Sequence, residues 1–153
     1  MKLRLIAVGK IREAYIAAAV ADFRKRLERY APLEEVEVTA SPGSDPARAM
    51  REESERIAEA LLPGEPFWLL DRTGTQLTSV ELSQKLQRLA DDGRRRLTLV
   101  VAGTHGAEAA LRERADFVWS LSSLTFLHEW ARAIVLEQLY RAARIARNEP
   151  YHH

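Results

Sequence analysis

Three short stretches of this chain carry residue types that could do chemistry, and none is sufficient alone. The first is NEPYHH, residues 148–153, which puts two of the four histidines at the last two positions. Chain ends normally fray, so a tyrosine and two imidazoles there are a discarded end, a tag remnant or part of a site. The second is VVAGTHGAE, residues 100–108, whose small residues let a backbone approach a ligand closely. The third is SLSSLTF, residues 120–126, in which all but the last residue are Ser, Leu or Thr. Such a loop offers N–H and C=O groups that can hydrogen-bond an adenine edge. An ordinary strand-to-helix turn would look like the second stretch, and a Ser/Thr helix start like the third.

Other chemistries are absent. There is no cysteine, which removes thiol catalysis, zinc ribbons and disulfide frameworks together. The turn after the first apolar run is GKIRE, with one glycine, so the dinucleotide fingerprint is missing; no Gly-Lys pair is followed by Ser or Thr, so neither is there a P-loop. A formal net charge of +1 with 29% charged residues is too balanced for a free-standing electrostatic nucleic-acid binder. An RNA contact would need a local patch. Arg24 to Arg26 and Arg94 to Arg96 read as solvated faces, whereas Arg132, Arg141, Arg144 and Arg147 share one carboxyl-terminal helix. No apolar run approaches the roughly 20 residues of a membrane span, and the amino-terminal run is too short for a signal peptide. The expectation is a soluble, cytoplasmic protein.

The elements that must position these stretches follow from periodicity. Residues 3–9 read as a buried strand, residues 33–39 as a half-exposed one. Tyr15, Ile16, Ala19, Val20, Phe23, Leu27 and Tyr30 form the apolar stripe of a long helix between them. Asp45-Pro46 starts a charged surface helix running to about residue 62. FWLLD is a strand and RTGTQ the turn after it; Thr78 and Glu81 form a capping box ahead of the next helix. LTLVVAG is the fourth strand, residues 107–114 a short helix, and FVWS the fifth strand. A final helix spans residues 128–147, with Asn148 and Pro150 as its stop, turning Tyr151 and His152 back towards the loops. This helix is apolar on more than one face, which suits burial against its own core together with a second subunit, or between core elements of one chain. Five strands alternating with helices predict a single α/β domain, a mostly parallel sheet flanked by helices over residues 1–153. Ligands of such sheets bind beyond the carboxyl ends of the strands.

VVAGTHG, the segment WSLSSLTFLHEWARAIVLEQLYRAARI and the terminal NEPYHH, in this order, together with MKLRLIAVGK and the chain length, resemble the RlmH (YbeA) family of SPOUT-type RNA methyltransferases. The resemblance spans essentially the whole chain. It implies an α/β knot, in which the carboxyl-terminal segment forms a deep trefoil, a homodimer, and S-adenosylmethionine bound in the knot. It further implies methylation of N3 of a pseudouridine in large-subunit ribosomal RNA of assembled ribosomes, with no metal. Carried over, the cofactor pocket is Leu70, Asp71, Gly103, Leu121, Ser122, Ser123, Leu124, Thr125, Phe126 and Leu127. The catalytic candidates are Tyr151, His152 and Arg132. A pyrimidine N3 is nucleophilic only as the anion, so His152 can serve as the base. Arg132 or another arginine can stabilise the anion, and Tyr151 can stack on the base.

The chain departs from the family pattern at three places. Thr104 and His105 replace the Pro and Glu of a Gly-Gly-Pro-Glu-Gly loop, Leu127 replaces a Pro, and His153 stands where relatives carry Arg. The alternative reading is a non-catalytic dimeric RNA- or ribosome-binding protein of the same fold, for which the altered glycine loop is the support.

Overall fold

In a computed structural model, residues 1–151 are described; His152 and His153 lie outside them. The elements run β1 (Lys2–Val8), α1 (Ala14–Leu27), β2 (Leu33–Val38), α2 (Pro46–Ala60), β3 (Phe67–Gln76), α3 (Ser79–Asp91), β4 (Arg96–Val101), α4 (Ala109–Arg114), β5 (Phe117–Ser120) and α5 (His128–Ala146). The strands form one sheet in the order β2-β1-β4-β3-β5, and every pair is parallel.

Side chains of a strand alternate between faces, and both faces of this sheet are covered, so the buried positions of the central strands are mostly apolar, with Arg4 and Thr98 as exceptions. Leu3, Leu5, Leu97 and Leu99 pack with Ile16, Val20, Leu82 and Leu136 beneath α1, α3 and α5. Ile6, Val8, Leu69 and Val100 pack with Ile57 and Leu111 beneath α2 and α4. Trp68 anchors the first layer, edge-on to Phe117 at 5.1 Å and to Trp119 at 6.2 Å.

The helix starts follow the side chains. The Asp45 carboxylate accepts from the Ala47 and Arg48 amides at 3.1 and 3.3 Å, with Pro46 in the first turn. Thr78 and Glu81 close the capping box: Thr78 Oγ1 accepts the Glu81 amide at 3.2 Å and Glu81 accepts the Thr78 amide at 2.7 Å. At the end of α5, Asn148 takes the left-handed conformation at φ 53°. Its amide donates to Ile145 O at 3.0 Å and that of Glu149 to Arg144 O at 2.9 Å, a Schellman ending.

Two boundaries differ from expectation. The RTGTQ segment is not a turn: β3 continues through it to Gln76 and pairs with β5 again at Thr75 and Gln76 after a register shift beyond Leu70. Gly74 permits this, because a Cβ there would lie 2.5 Å from the Val118 carbonyl oxygen. The helix begun at Asp45 stops at Ala60 and, although charged, buries Ala49, Glu53, Ser54 and Ile57. In α5, the row Ala133, Leu136 and Tyr140 and the second row Val135 and Leu139 are all buried within one chain. Ser79 and Ser83 of α3 donate to Gln138 Oε1 and Ala142 O, both at 2.8 Å, and Tyr140 meets Phe23 of α1 at 6.5 Å. Among the described residues no helix is long and apolar enough to cross a membrane.

Candidate cofactor site

A cavity of about 330 Å³ opens beyond the carboxyl ends of β3, β4 and β5, against the first turn of α5. That volume falls within the roughly 300–1,000 Å³ usual for cofactor sites, and the place is where parallel sheets bind ligands. Its walls are β3 at its register shift, the loops after β4 and β5, and the start of α5.

From β3 come Leu70 and Asp71. Asp71 Oδ1 accepts the Thr73 amide at 2.8 Å and the Thr73 hydroxyl at 2.6 Å, and Oδ2 pairs with Arg112 Nη1 at 3.0 Å. Burial pushes this carboxyl up, but the Thr73 hydrogen bonds and the Arg112 guanidinium outweigh it and hold Asp71 below its ordinary value. Asp71 therefore stays ionised at neutral pH.

From the loop after β4 comes Gly103. The space its missing side chain leaves is taken from behind by protein. A Cβ there would collide with the Glu53 Oε2 carboxylate oxygen and lie 3.2 Å from Val8 Cγ1. The glycine is thus needed for α2 to pack against the loop, a reason different from close approach of a ligand.

From the loop after β5 come Leu121, Ser122, Leu124, Thr125 and Phe126. Ser120 Oγ donates to Ser122 O at 2.9 Å and the Leu124 amide to Ser122 Oγ at 3.1 Å. Among the described residues the amides of Ser122, Ser123, Thr125, Phe126 and Leu127 make no hydrogen bond. Leu127, the residue before α5, supplies no side-chain cap. The wall is therefore a set of unengaged donors beside a helix amino terminus, where partial positive charge gathers.

Eight of the ten expected pocket residues thus share one cavity; Ser123 and Leu127 are exposed and stand outside its lining. Sequence reasoning missed Arg72 and His128, each adjoining a named residue, and Trp119 and Ala131, two and four positions away, among others of the lining. Burial, reinforced by Arg132 and Arg12 against the pull of Glu129 and Glu53, holds the His128 imidazole below its ordinary value. Among the described residues no group of three or more His, Asp or Glu could hold a metal.

The two catalytic candidates among the described residues, Arg132 and Tyr151, stand outside the cavity lining. Arg132 is 5% exposed and points away from the cavity lining, donating from Nη1 to Gly9 O at 3.0 Å and sitting 3.6–3.8 Å from Glu37 and Glu35. Tyr151 turns onto the middle of α5, not towards the loops. Its ring meets Tyr140 edge-on at 4.8 Å, its hydroxyl donates to Glu137 at 3.2 Å, and Arg141 covers its face at 4.6 Å. Burial and Glu137 hold its phenol above the ordinary value. At 1.5 Å per residue, Glu137 and Arg141 stand roughly 9–15 Å along α5 from Ala131. His152, the expected base, lies outside the described residues.

The whole chain has relatives. A chain called ribosomal RNA large subunit methyltransferase H from Gloeobacter violaceus is 44% identical over 153 residues, covering 100% of this chain and 99% of that one. One of the same name from Pelobacter propionicus is 42% identical over the full length of both. A crystal structure described as a probable methyltransferase from Bordetella pertussis Tohama I superposes with a TM-score of 0.58 at 16% identity, over 93% of this chain and 96% of that one. At that identity the likeness is one of fold. The family model described as "Predicted SPOUT methyltransferase" matches residues 1–152, and the chain belongs to that family.

Proposed function

We propose that this chain transfers the methyl group of S-adenosylmethionine to N3 of a pseudouridine in large-subunit ribosomal RNA, on assembled ribosomes in the cytoplasm. The observation that carries the reading is the cavity itself. In a chain 44% identical over its length to a ribosomal RNA methyltransferase, two loops, a stretch of β3 and the start of α5 meet in one cofactor-sized space. The residues suit the ligand. Leu70, Trp119, Leu121 and Ala131 offer an apolar floor. The free amides of residues 122, 123 and 125–127 suit the adenine edge and, at the start of α5, a carboxylate. A deep trefoil knot formed by the segments around this cavity belongs to the same proposal.

When bound, the cofactor supplies a methyl group already activated on a sulfonium. What is left for the chain is alignment, removal of the N3 proton, and stabilisation of the anion. His152 takes the proton in this reading, and Tyr151 stacks on the base. For charge stabilisation, Arg72 is better placed than Arg132, since it lines the cavity and makes no salt bridge among the described residues, whereas Arg132 already faces two carboxylates.

A homodimer is part of the proposal. Tyr151 is held away from the cavity of its own chain, and exposed apolar side chains cluster beside that cavity. Tyr15 is 59%, Leu124 68% and Leu127 62% exposed, with Trp130 in contact with Tyr15 at 5.9 Å. A second copy covering this patch would exclude water from it and could bring its own terminal segment to the mouth.

Labelled S-adenosylmethionine, incubated with the protein and unmethylated ribosomes, should leave label in large-subunit RNA. Binding of the cofactor without transfer to any RNA would leave the non-catalytic reading in its place.

A further inference from the structure

Glu53 lies in the middle of α2 and is only 5% exposed. One of its oxygens, Oε1, accepts the Ser41 amide at 2.9 Å. The other, Oε2, is buried with no hydrogen-bond partner, and Glu53 makes no salt bridge among the described residues. A buried carboxylate oxygen left without a partner is costly and rare, and such a group usually has a use. Its position is informative. Oε2 abuts Gly103, a residue of the cavity wall, with Glu53 Cδ 3.1 Å from where a Cβ would stand. The next residue, Ser54, accepts the Glu108 amide at 2.9 Å, so α2 supports both ends of the loop between them. His128, which also lines the cavity, lies within reach of the Glu53 carboxylate.

Among the described residues, this buried carboxylate with no ion-pair partner thus stands directly behind the wall of the cavity. A cation in the cavity would complement it; a neutral ligand would not. Resting on the reading that the cavity takes S-adenosylmethionine, we propose that Glu53 is a specificity-determining residue that favours the sulfonium cofactor over its neutral thioether product. In the transfer, the nucleophile forms its bond to the methyl carbon and the carbon–sulfur pair stays on sulfur, which becomes uncharged. Attraction to the carboxylate is then lost at the moment of reaction, and the spent product leaves more readily than the fresh cofactor.

Calorimetry on the full chain tests this with three ligands: S-adenosylmethionine, S-adenosylhomocysteine, and sinefungin, which carries an amine in place of the sulfonium. The Glu53→Gln variant keeps the shape and removes the charge. It should weaken S-adenosylmethionine and sinefungin by about tenfold, the scale of a unit-charge interaction over roughly 12 Å at an effective dielectric constant of about 20, and S-adenosylhomocysteine far less. Equal weakening of all three would show that Glu53 only supports the loop or meets the shared ammonium group, and would overturn the proposal. Should the variant fail to fold, the wild-type protein still decides: it should bind both cationic ligands more tightly than S-adenosylhomocysteine, and the reverse order would overturn the proposal. If none of the three binds the wild-type chain, the cofactor reading itself falls, and this inference with it.

Discussion

The two ends of α5 are built on opposite principles. At its amino end the helix has no side-chain cap, five neighbouring amides make no hydrogen bond among the described residues, and Leu124 and Leu127 lie largely in solvent. At its carboxyl end almost every group is engaged. A Schellman turn satisfies the carbonyls of Arg144 and Ile145. Arg144 pairs with Glu149 at 3.0 Å and donates to Pro150 O at 3.1 Å. Tyr30 donates to Glu149 at 2.5 Å, and Tyr140 is flanked by Phe23, Tyr30 and Tyr151. Donors left free on a rigid helix suit a ligand; donors all taken hold a chain end in one place. The difference teaches that the amino end keeps donors available to a ligand, while the carboxyl end fixes the course of the chain as far as Tyr151.

The comparison can be broken by substitution. The largest effect expected is on stability, at the carboxyl end: Tyr140→Ala removes the ring at the centre of the aromatic cluster and should cost about 3 kcal/mol in urea unfolding. The amino-end cavity should still bind cofactor in the folded fraction. At the amino end, Gly103→Ala forces a methyl group against Glu53 and Val8. Overpacking of this kind costs about 1–3 kcal/mol, and because the displaced loop is a cavity wall, calorimetry should show cofactor affinity falling by about tenfold or more. A smaller effect is expected from Glu149→Gln, which weakens partly exposed pairs with Arg144 and Tyr30 and should lower stability by less than about 1 kcal/mol.

The mildest test uses pH, and the two ends should respond at opposite extremes. His128 is held below its ordinary value when folded, so as pH falls below about 6.5 the unfolded chain binds a proton that the native one refuses, and stability drops. His128→Gln should flatten that slope in unfolding curves taken between pH 7 and 5. Tyr30, through its hydrogen bond to Glu149, and Tyr151, through burial, are held above their ordinary values. Their contribution is complete below about pH 10 and is lost as pH rises through their folded values. Ultraviolet titration should show Tyr30 and Tyr151 ionising later than free tyrosine, a late component that Tyr30→Phe and Tyr151→Phe each diminish; its absence would contradict the engaged carboxyl end.

Much of the scaffold was legible in the sequence because its signals are local. Alternation, capping side chains and the Asn148 and Pro150 stop each act over a few residues, and the five strands, five helices and both N-caps follow from them. The extension of β3 was not legible, since Thr73 and Gly74 read as a turn until Val118 is known to press against that glycine. Within the cavity, the strand-end rule and the family resemblance identified eight wall residues without any contact information. Glu53 escaped because it lies fifty residues from Gly103 in sequence, on a helix whose charge pattern reads as surface. The direction of Tyr151 escaped for the same reason: Asn148 tells that the helix stops, but only Tyr140, Glu137 and Arg141, packed together, determine where the chain goes next.

Hydrogen exchange with and without S-adenosylmethionine tests the central claim most directly, because it reads the free amides themselves. The account predicts new protection in residues 102–106 and 121–130, where the loops meet the start of α5. Unchanged exchange in both segments at saturating cofactor, or protection appearing only elsewhere, would contradict it.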